Sequence, residues 1–309
     1  MTTTKKTGFE TEETSELMAA NSDAMSLADL KVQKLELQDT SKRLPVGFLL
    51  PSGERLTDFD LHPYTTEHDL LLTKRNNEDI HITLGRILPQ LVKSIGGYSV
   101  PDLAKELSTS PERMFQQMLL ADAFALILWI RLETVGADVA ISEQCPRCNT
   151  ENKDSAEKGY HDLGRVDIGM AINLSRPLAI AVELKTGFVE FGHTAKTVLL
   201  RPLRLYQSKE FKSVPSNKMD IEMLYKMCFG LPEITEYEGM HSNLLNDGIY
   251  RKLTLADRNT LLGAMKELMK LGPQMVIEME CEACQNAWRS ALPWQFLRTF
   301  LSEPAGSGE

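Results

Sequence analysis

Alternating apolar and polar positions open the folded part of the chain near Leu44. The run Val46-Gly47-Phe48-Leu49-Leu50, the turn Pro51-Ser52-Gly53-Glu54 and the following Arg55-Leu56 predict a hairpin turning at Ser52-Gly53. Helical spacing follows over 66–75 and over 83–95, the latter stopped by Gly96-Gly97, and a short helix is expected over 101–107. The strongest helical pattern runs over 111–135. Ser110 is placed to cap it, Pro111 suits the first helical position, Glu112 favours the positive end of the dipole, and Gly136 can close it. Its centre, 118–132, is apolar almost all round, which predicts burial on most sides. It leads into an expected strand over 138–143.

Further on, the pattern predicts strands over 179–184 and 196–203, with Gly187 and Gly192 in the turn between them. Helices are expected over 218–229 and 255–271. The second has Thr254 as cap with Asp257 three residues on, and Gly272-Pro273 ends it. Strands over 275–280 and 288–292 follow, then an amphipathic closing helix over 293–301. Residues 1–43, rich in Thr, Ser, Glu, Asp and Lys, read as a disordered extension with a short helix over 13–34, and 303–309 as a flexible tail. The expected fold class is therefore α+β, a mainly helical core with short β-hairpins. Its organisation is a hairpin plus helical domain over 44–144 and a second region over 145–302 that carries an α/β insertion at 149–280.

Composition narrows the function. Of 309 residues, 42% are hydrophobic and 25% charged, enough apolar material for a sizeable core in a water-facing protein. The longest apolar stretch, 119–130, is interrupted by Asp122 and is too short to span a bilayer. The polar N-terminus has no apolar signal core, so secretion by that route is not expected. A net charge of −9 argues against a generic nucleic-acid binder, because phosphate contacts need a basic face. Gly-rich phosphate loops, H-E-x-x-H and G-x-S-x-G are absent, and the six histidines (62, 68, 81, 161, 193, 241) are scattered. Asp and Glu are expected on polar faces, and the fourteen methionines mainly as core filler. Nothing here points to an enzyme or to a small-molecule substrate.

The cysteines carry the clearest chemistry. Cys145-Pro146-Arg147-Cys148 and Cys281-Glu282-Ala283-Cys284 are both C-x-x-C, lie far apart in the chain, and each sits where a strand should turn. A two-residue spacer lets one tight turn aim two sulfurs at a single ion, and two such knuckles supply a tetrahedral zinc set, a split zinc ribbon. Four thiolates leave no open position for water, which speaks for a structural rather than a catalytic metal. A redox dithiol would need one C-x-x-C opening a helix. The four-cysteine set alone leaves iron–sulfur open. Closing so long a loop costs on the order of 4–5 kcal/mol in chain entropy, against roughly 10–16 kcal/mol from structural zinc at neutral pH. The fifth cysteine, Cys228, is expected as a small core residue on an apolar helix face.

Several of these runs occur together in a known order: Leu50-Pro51-Ser52-Gly53, then Ile130-Arg131-Leu132-Glu133-Thr134-Val135-Gly136, then Cys145-Pro146-Arg147-Cys148, then Val198-Leu199-Leu200-Arg201-Pro202-Leu203, and finally Ile277-Glu278-Met279-Glu280-Cys281-Glu282-Ala283-Cys284 before a closing aromatic segment. Over about residues 44–302 this resembles the T-even-like bacteriophage baseplate protein family of contractile tails and phage-like injection systems. Residues 1–43 have no counterpart in it. The resemblance implies a non-enzymatic virion or assembly component at the baseplate hub, contacting other baseplate or tail proteins, with Cys145, Cys148, Cys281 and Cys284 holding the metal. Its location would be the bacterial host cytoplasm or the tail particle. The alternatives are a tail-assembly chaperone absent from the mature particle, and a zinc-ribbon nucleic-acid-binding protein. For the latter, Arg147, Lys153, Lys158 and Arg289 are outweighed near the knuckles by Glu143, Glu151, Asp154, Glu278, Glu280 and Glu282.

Overall fold

The computed structural model describes residues 25–26, 32–34, 42–68, 80–134, 138–140, 142–153, 160–162, 170–172, 178–190, 192–211, 214–215, 218–234, 245–273 and 276–291. Helices and sheets both build it, so the chain is α+β. The expected closing helix 293–301, the tail 303–309, the Gly136 cap and most of the helix 66–75 lie outside these residues; 66–68 are helical. Within the expected helix 13–34, the described stretches are strands instead. β1 (Met25–Ser26) pairs in parallel with Ile180 and Ala181, and β2 (Val32–Lys34) runs antiparallel to 170–172. Both pairings are with segments far along the chain, which local composition does not reveal.

The first unit is a meander. β3 (Arg43–Leu49) and β4 (Arg55–Leu61) form the expected hairpin, with Gly53 at φ +86° and its N–H on the Leu50 carbonyl at 2.9 Å. A helix, α1 (Ile80–Leu91), follows, but it stops short of its expected end at residue 95. Val92–Ile95 is a strand, β5, paired with β4, and Gly96-Gly97 turns it into β6 (Tyr98–Ser99). Both glycines have positive φ, +57° and +83°, as a two-residue hairpin turn of the mirror-image type requires. The glycine pair is a strand reversal, not a helix stop.

Next come α2 (Val100–Glu106), capped by Ser99, and α3 (Pro111–Gln117), whose Arg113 N–H donates to the Ser110 hydroxyl as expected. The long helix expected over 111–135 is broken. α3 ends at Gln117, Met118 is extended at ψ 156°, and α4 (Leu120–Thr134) starts afresh. At the break the backbone pairs with a distant segment: Leu120 N–H donates to the Leu203 carbonyl and Leu205 N–H to the Met118 carbonyl, at 2.8 and 2.9 Å. Two long-range hydrogen bonds replace those that a continuous helix would make. α4 is buried nearly all round, as its composition predicts.

The knuckle region begins with β7 (Asp138–Ala140) and β8 (Ser142–Gln144), which return through β9 (Glu151–Lys153) and β10 (Tyr160–Asp162). β11 (Met170–Ile172) is the partner of β2. In the insertion, β12 (Ile180–Glu190) is longer than expected, and β13 (His193–Leu200) has the expected length but starts and ends three residues earlier than the expected 196–203. Gly192 sits in the turn. Gly187 lies inside β12, at a bulge between Glu183 and Phe188, where its φ is +75° and a Cβ would stand 2.3 Å from the Ala195 carbonyl oxygen. α5 (Met219–Met227) ends two residues before its expected end. Cys228 opens the strand β14 (Cys228–Gly230) rather than lying on a helix, though it is buried as a core residue. α6 (Asp247–Lys252) and α7 (Leu255–Met269) complete the insertion. Thr254 caps α7, and Gly272 at φ +86° turns the chain hard against Ala121 of α4. The chain then enters the closing hairpin β15 (Val276–Glu280) and β16 (Ala287–Ala291).

Buried apolar side chains group into two cores. The first joins β3–β6 and α1–α4 with Leu205 and Met279. The second joins β12–β14 with α5–α7, and among the described residues before the first knuckle Val46 and Ala121 are its buried members.

Candidate metal centre

Each C-x-x-C pair closes a hairpin in the same way. In the first knuckle Cys145 N–H donates to the Thr150 carbonyl at 2.8 Å and Asn149 N–H to the Cys145 carbonyl at 2.9 Å. In the second, Cys281 N–H donates to the Asn286 carbonyl at 2.9 Å and Gln285 N–H to the Cys281 carbonyl at 2.8 Å. The residue after each pair has positive φ, Asn149 at +58° and Gln285 at +54°. Asn, and to a lesser extent other polar residues, can hold this left-handed position, so these knuckles do without the customary glycine.

The hairpins face each other and bring all four expected ligands together. The sulfurs of Cys145, Cys148, Cys281 and Cys284 lie within 4.8 Å of one another. Across the interface Cys145 Sγ is 3.7 Å from Cys284 Sγ, and Cys148 Sγ is 3.5 Å from Cys281 Sγ. A disulfide would need about 2.05 Å; a tetrahedron with metal–sulfur bonds of about 2.3 Å has edges of about 3.8 Å. The donor set therefore fits one ion. An iron–sulfur cluster, whose cysteines surround several irons, needs a wider cage. Cys145 and Cys281 are buried, Cys284 is half-buried and Cys148 is exposed, so the cage has an inner and an outer side.

Electrostatics explains why such a cage calls for a cation. The Thr150 hydroxyl, 3.3 Å from Cys148 Sγ, then the Thr150 N–H and the Cys281 and Cys284 sulfurs, bring the Cys148 thiol down to about 6. Cys284 goes the other way, up to about 12. The Asn286 N–H favours its thiolate, but burial and the sulfurs of Cys148, Cys281 and Cys145 outweigh it. Against burial, the Cys148 and Arg147 N–H groups draw the Cys145 thiol down as well, so two thiols ionise more readily than usual while Cys284 resists. A divalent cation supplies the positive charge that allows all four to deprotonate.

The ribbon is tied to the first core. Met279 and Trp288 are paired across β15 and β16; Met279 is a buried member of the first core and Trp288 packs on it. Between the knuckles, Glu282 N–H donates to Asn152 Oδ1 at 3.0 Å, and Asn286 Nδ2 lies 3.9 Å from Cys145 Sγ. The N–H of Arg147 points at Cys145 Sγ at 3.4 Å.

Two acidic residues depart from the expectation that carboxylates lie on polar faces. Asp122, 1% exposed, accepts Val46 N–H at 2.8 Å and Gly47 N–H at 3.0 Å, fastening β3 to α4. Burial pushes its carboxyl up to about 6, against the pull of those two N–H groups and of Arg55. Asp257, fully buried, takes Lys185 N–H at 2.7 Å, Thr186 N–H at 3.3 Å and the Thr254 hydroxyl at 2.9 Å, fastening α7 to the β12 bulge. Burial would raise it too, but the Thr254 hydroxyl and the Thr186, Lys185 and Gly187 N–H groups prevail and hold it below the usual carboxylate range. The sequence clue to Asp122 is its position inside an apolar run. Asp257 is legible only as the residue three positions after the Thr254 cap.

No helix among the described residues is long and apolar enough to cross a membrane. Comparison with known proteins finds no matching family model, no similar curated protein and no similar solved structure. What fold and site define is thus a class: an α+β protein with a split four-cysteine cage able to hold a metal ion.

Proposed function

We propose that this chain is a non-enzymatic structural or assembly protein of a phage-like contractile tail, working at the baseplate hub through protein contacts, with a structural zinc as its staple. The observation that carries the non-catalytic part is the cage itself. Four sulfurs from two knuckles far apart in sequence would fill a tetrahedral ion's coordination shell, leaving no position for water or substrate. Zinc is the ion that best suits four thiolates in this geometry. The second knuckle's hairpin also packs on the first core through Met279 and Trp288, so the ion acts on the fold. Support for the contractile tail comes from the resemblance of the ordered runs to those of the T-even-like baseplate family. The acidic surround of the knuckles, Glu143, Glu151, Glu278, Glu280 and Glu282, supports protein rather than phosphate contacts.

Mass spectrometry of purified tail particles, with and without the gene, tests this. Fixed stoichiometry in the particle makes the protein a subunit. Absence from the particle combined with failed assembly on deletion makes it a chaperone. Normal particles without the protein contradict the proposal.

A further inference from the structure

Asn152 is 2% exposed, belongs to neither hydrophobic core and is not a sulfur ligand, yet both ends of its side chain are used. Its Nδ2 donates to the Thr150 carbonyl at 2.7 Å, the same carbonyl that receives Cys145 N–H and so shapes the first knuckle. Its Oδ1 accepts Glu282 N–H, the first peptide group inside the second knuckle's C-x-x-C, at 3.0 Å. One buried amide thus binds the turn that aims Cys145 and the turn that aims Cys281 and Cys284, 130 residues away in sequence. Contact in the reverse direction comes from Asn286 of the second knuckle, whose Nδ2 approaches Cys145 Sγ at the longer distance of 3.9 Å.

We infer that Asn152 is a positioning residue for the metal centre, an amide latch that sets the two knuckles face to face, with Asn286 as a weaker counterpart. The inference rests on the reading of the four cysteines as a metal cage. Its physical content is preorganisation. Without the latch, the ion itself must gather two hairpins, and part of its binding free energy is spent ordering them. Only a group that both donates and accepts can do this. A carboxylate would keep the contact to Glu282 N–H, lose the one to the Thr150 carbonyl, and add negative charge beside four thiolates.

Cobalt(II) titration of the metal-stripped, reduced full-length protein is the test, read from the visible d–d bands of tetrahedral thiolate coordination. Asn152→Ala is expected to bind cobalt roughly 10- to 100-fold more weakly than wild type, with the same bands at saturation. Asn286→Ala is expected to show a smaller loss. A merely structural role would lower the melting of metal-loaded and metal-free protein equally; the latch lowers the loaded form more. Should Asn152→Ala not fold, zinc-loaded Asn152→Asp serves instead, and faster zinc transfer to a chelator than from wild type is expected. Affinity, or for Asn152→Asp a transfer rate, equal to wild type overturns the latch. Absence of tetrahedral bands in the wild-type protein overturns the metal reading itself, a separate result.

Discussion

The two cores solve the same problem with different connectivity. The second is drawn almost wholly from residues 178–271, so folding that stretch alone gathers most of it. The first is assembled from residues 44–132, takes Leu205 from the insertion, and is then completed by Met279 and Trp288, far along the chain. A core whose closing piece lies that far away carries a larger loop-closure cost, and the cysteine cage stands where that loop closes. Each core also has its own buried aspartate. Asp257 is met by a hydroxyl and several N–H groups, which stabilise its charge; Asp122 is met by two N–H groups and Arg55, which do not overcome burial. The second core is thus fastened by a well-satisfied carboxylate, and the first by a poorly satisfied one plus a site suited to metal.

The largest effect that would sharpen this contrast is loss of a ligand. Cys281→Ser is expected to lower the stability of the metal-loaded protein by at least roughly 3 kcal/mol, about 6–12 °C in melting temperature. Calorimetry checks this, and an unchanged melting profile on chelation would break the contrast outright. Asp257→Ala strands the Lys185 and Thr186 N–H groups inside the second core, at an expected cost of roughly 2–5 kcal/mol in urea denaturation.

The predicted pH response separates the aspartates. The folded Asp122 carboxyl keeps its proton up to about 6, whereas the unfolded chain releases it near 3.8. The unfolded state therefore binds fewer protons between these values, and the Asp122 contribution to stability falls as pH rises from about 4 to 6, by up to about 3 kcal/mol. Asp122→Asn is expected to flatten that slope. Asp257 behaves oppositely: its contribution is present above the unfolded carboxylate value and is lost as pH falls below about 4. Denaturation series across this range check both. The smallest effect is expected for Ser110→Ala, which removes the α3 cap from the first core at about 1 kcal/mol.

What was legible in the sequence was local. The Pro51–Glu54 turn, the Ser110 and Thr254 caps and the two C-x-x-C knuckles each announce themselves within a few residues. The misread elements share a cause, a partner distant in sequence. Val92–Ile95 continues a helical pattern but is claimed by β4. The helix expected over 111–135 breaks where Leu203 and Leu205 engage its backbone. Gly187 looks like a turn residue and serves a bulge against β13. In the cage, the ligands were readable from spacing, but Asn152 was not, because nothing near it in sequence shows that its amide reaches Glu282.

Hydrogen exchange on the full-length protein before and after zinc removal tests the central claim, that a metal in the cage closes the first core, most directly. Stripping the metal is expected to expose amides of 142–153 and 276–291 and to loosen 111–134, while 180–190, 192–200 and 255–269 stay protected. Unchanged protection at both knuckles, or uniform loss across both cores, would contradict it.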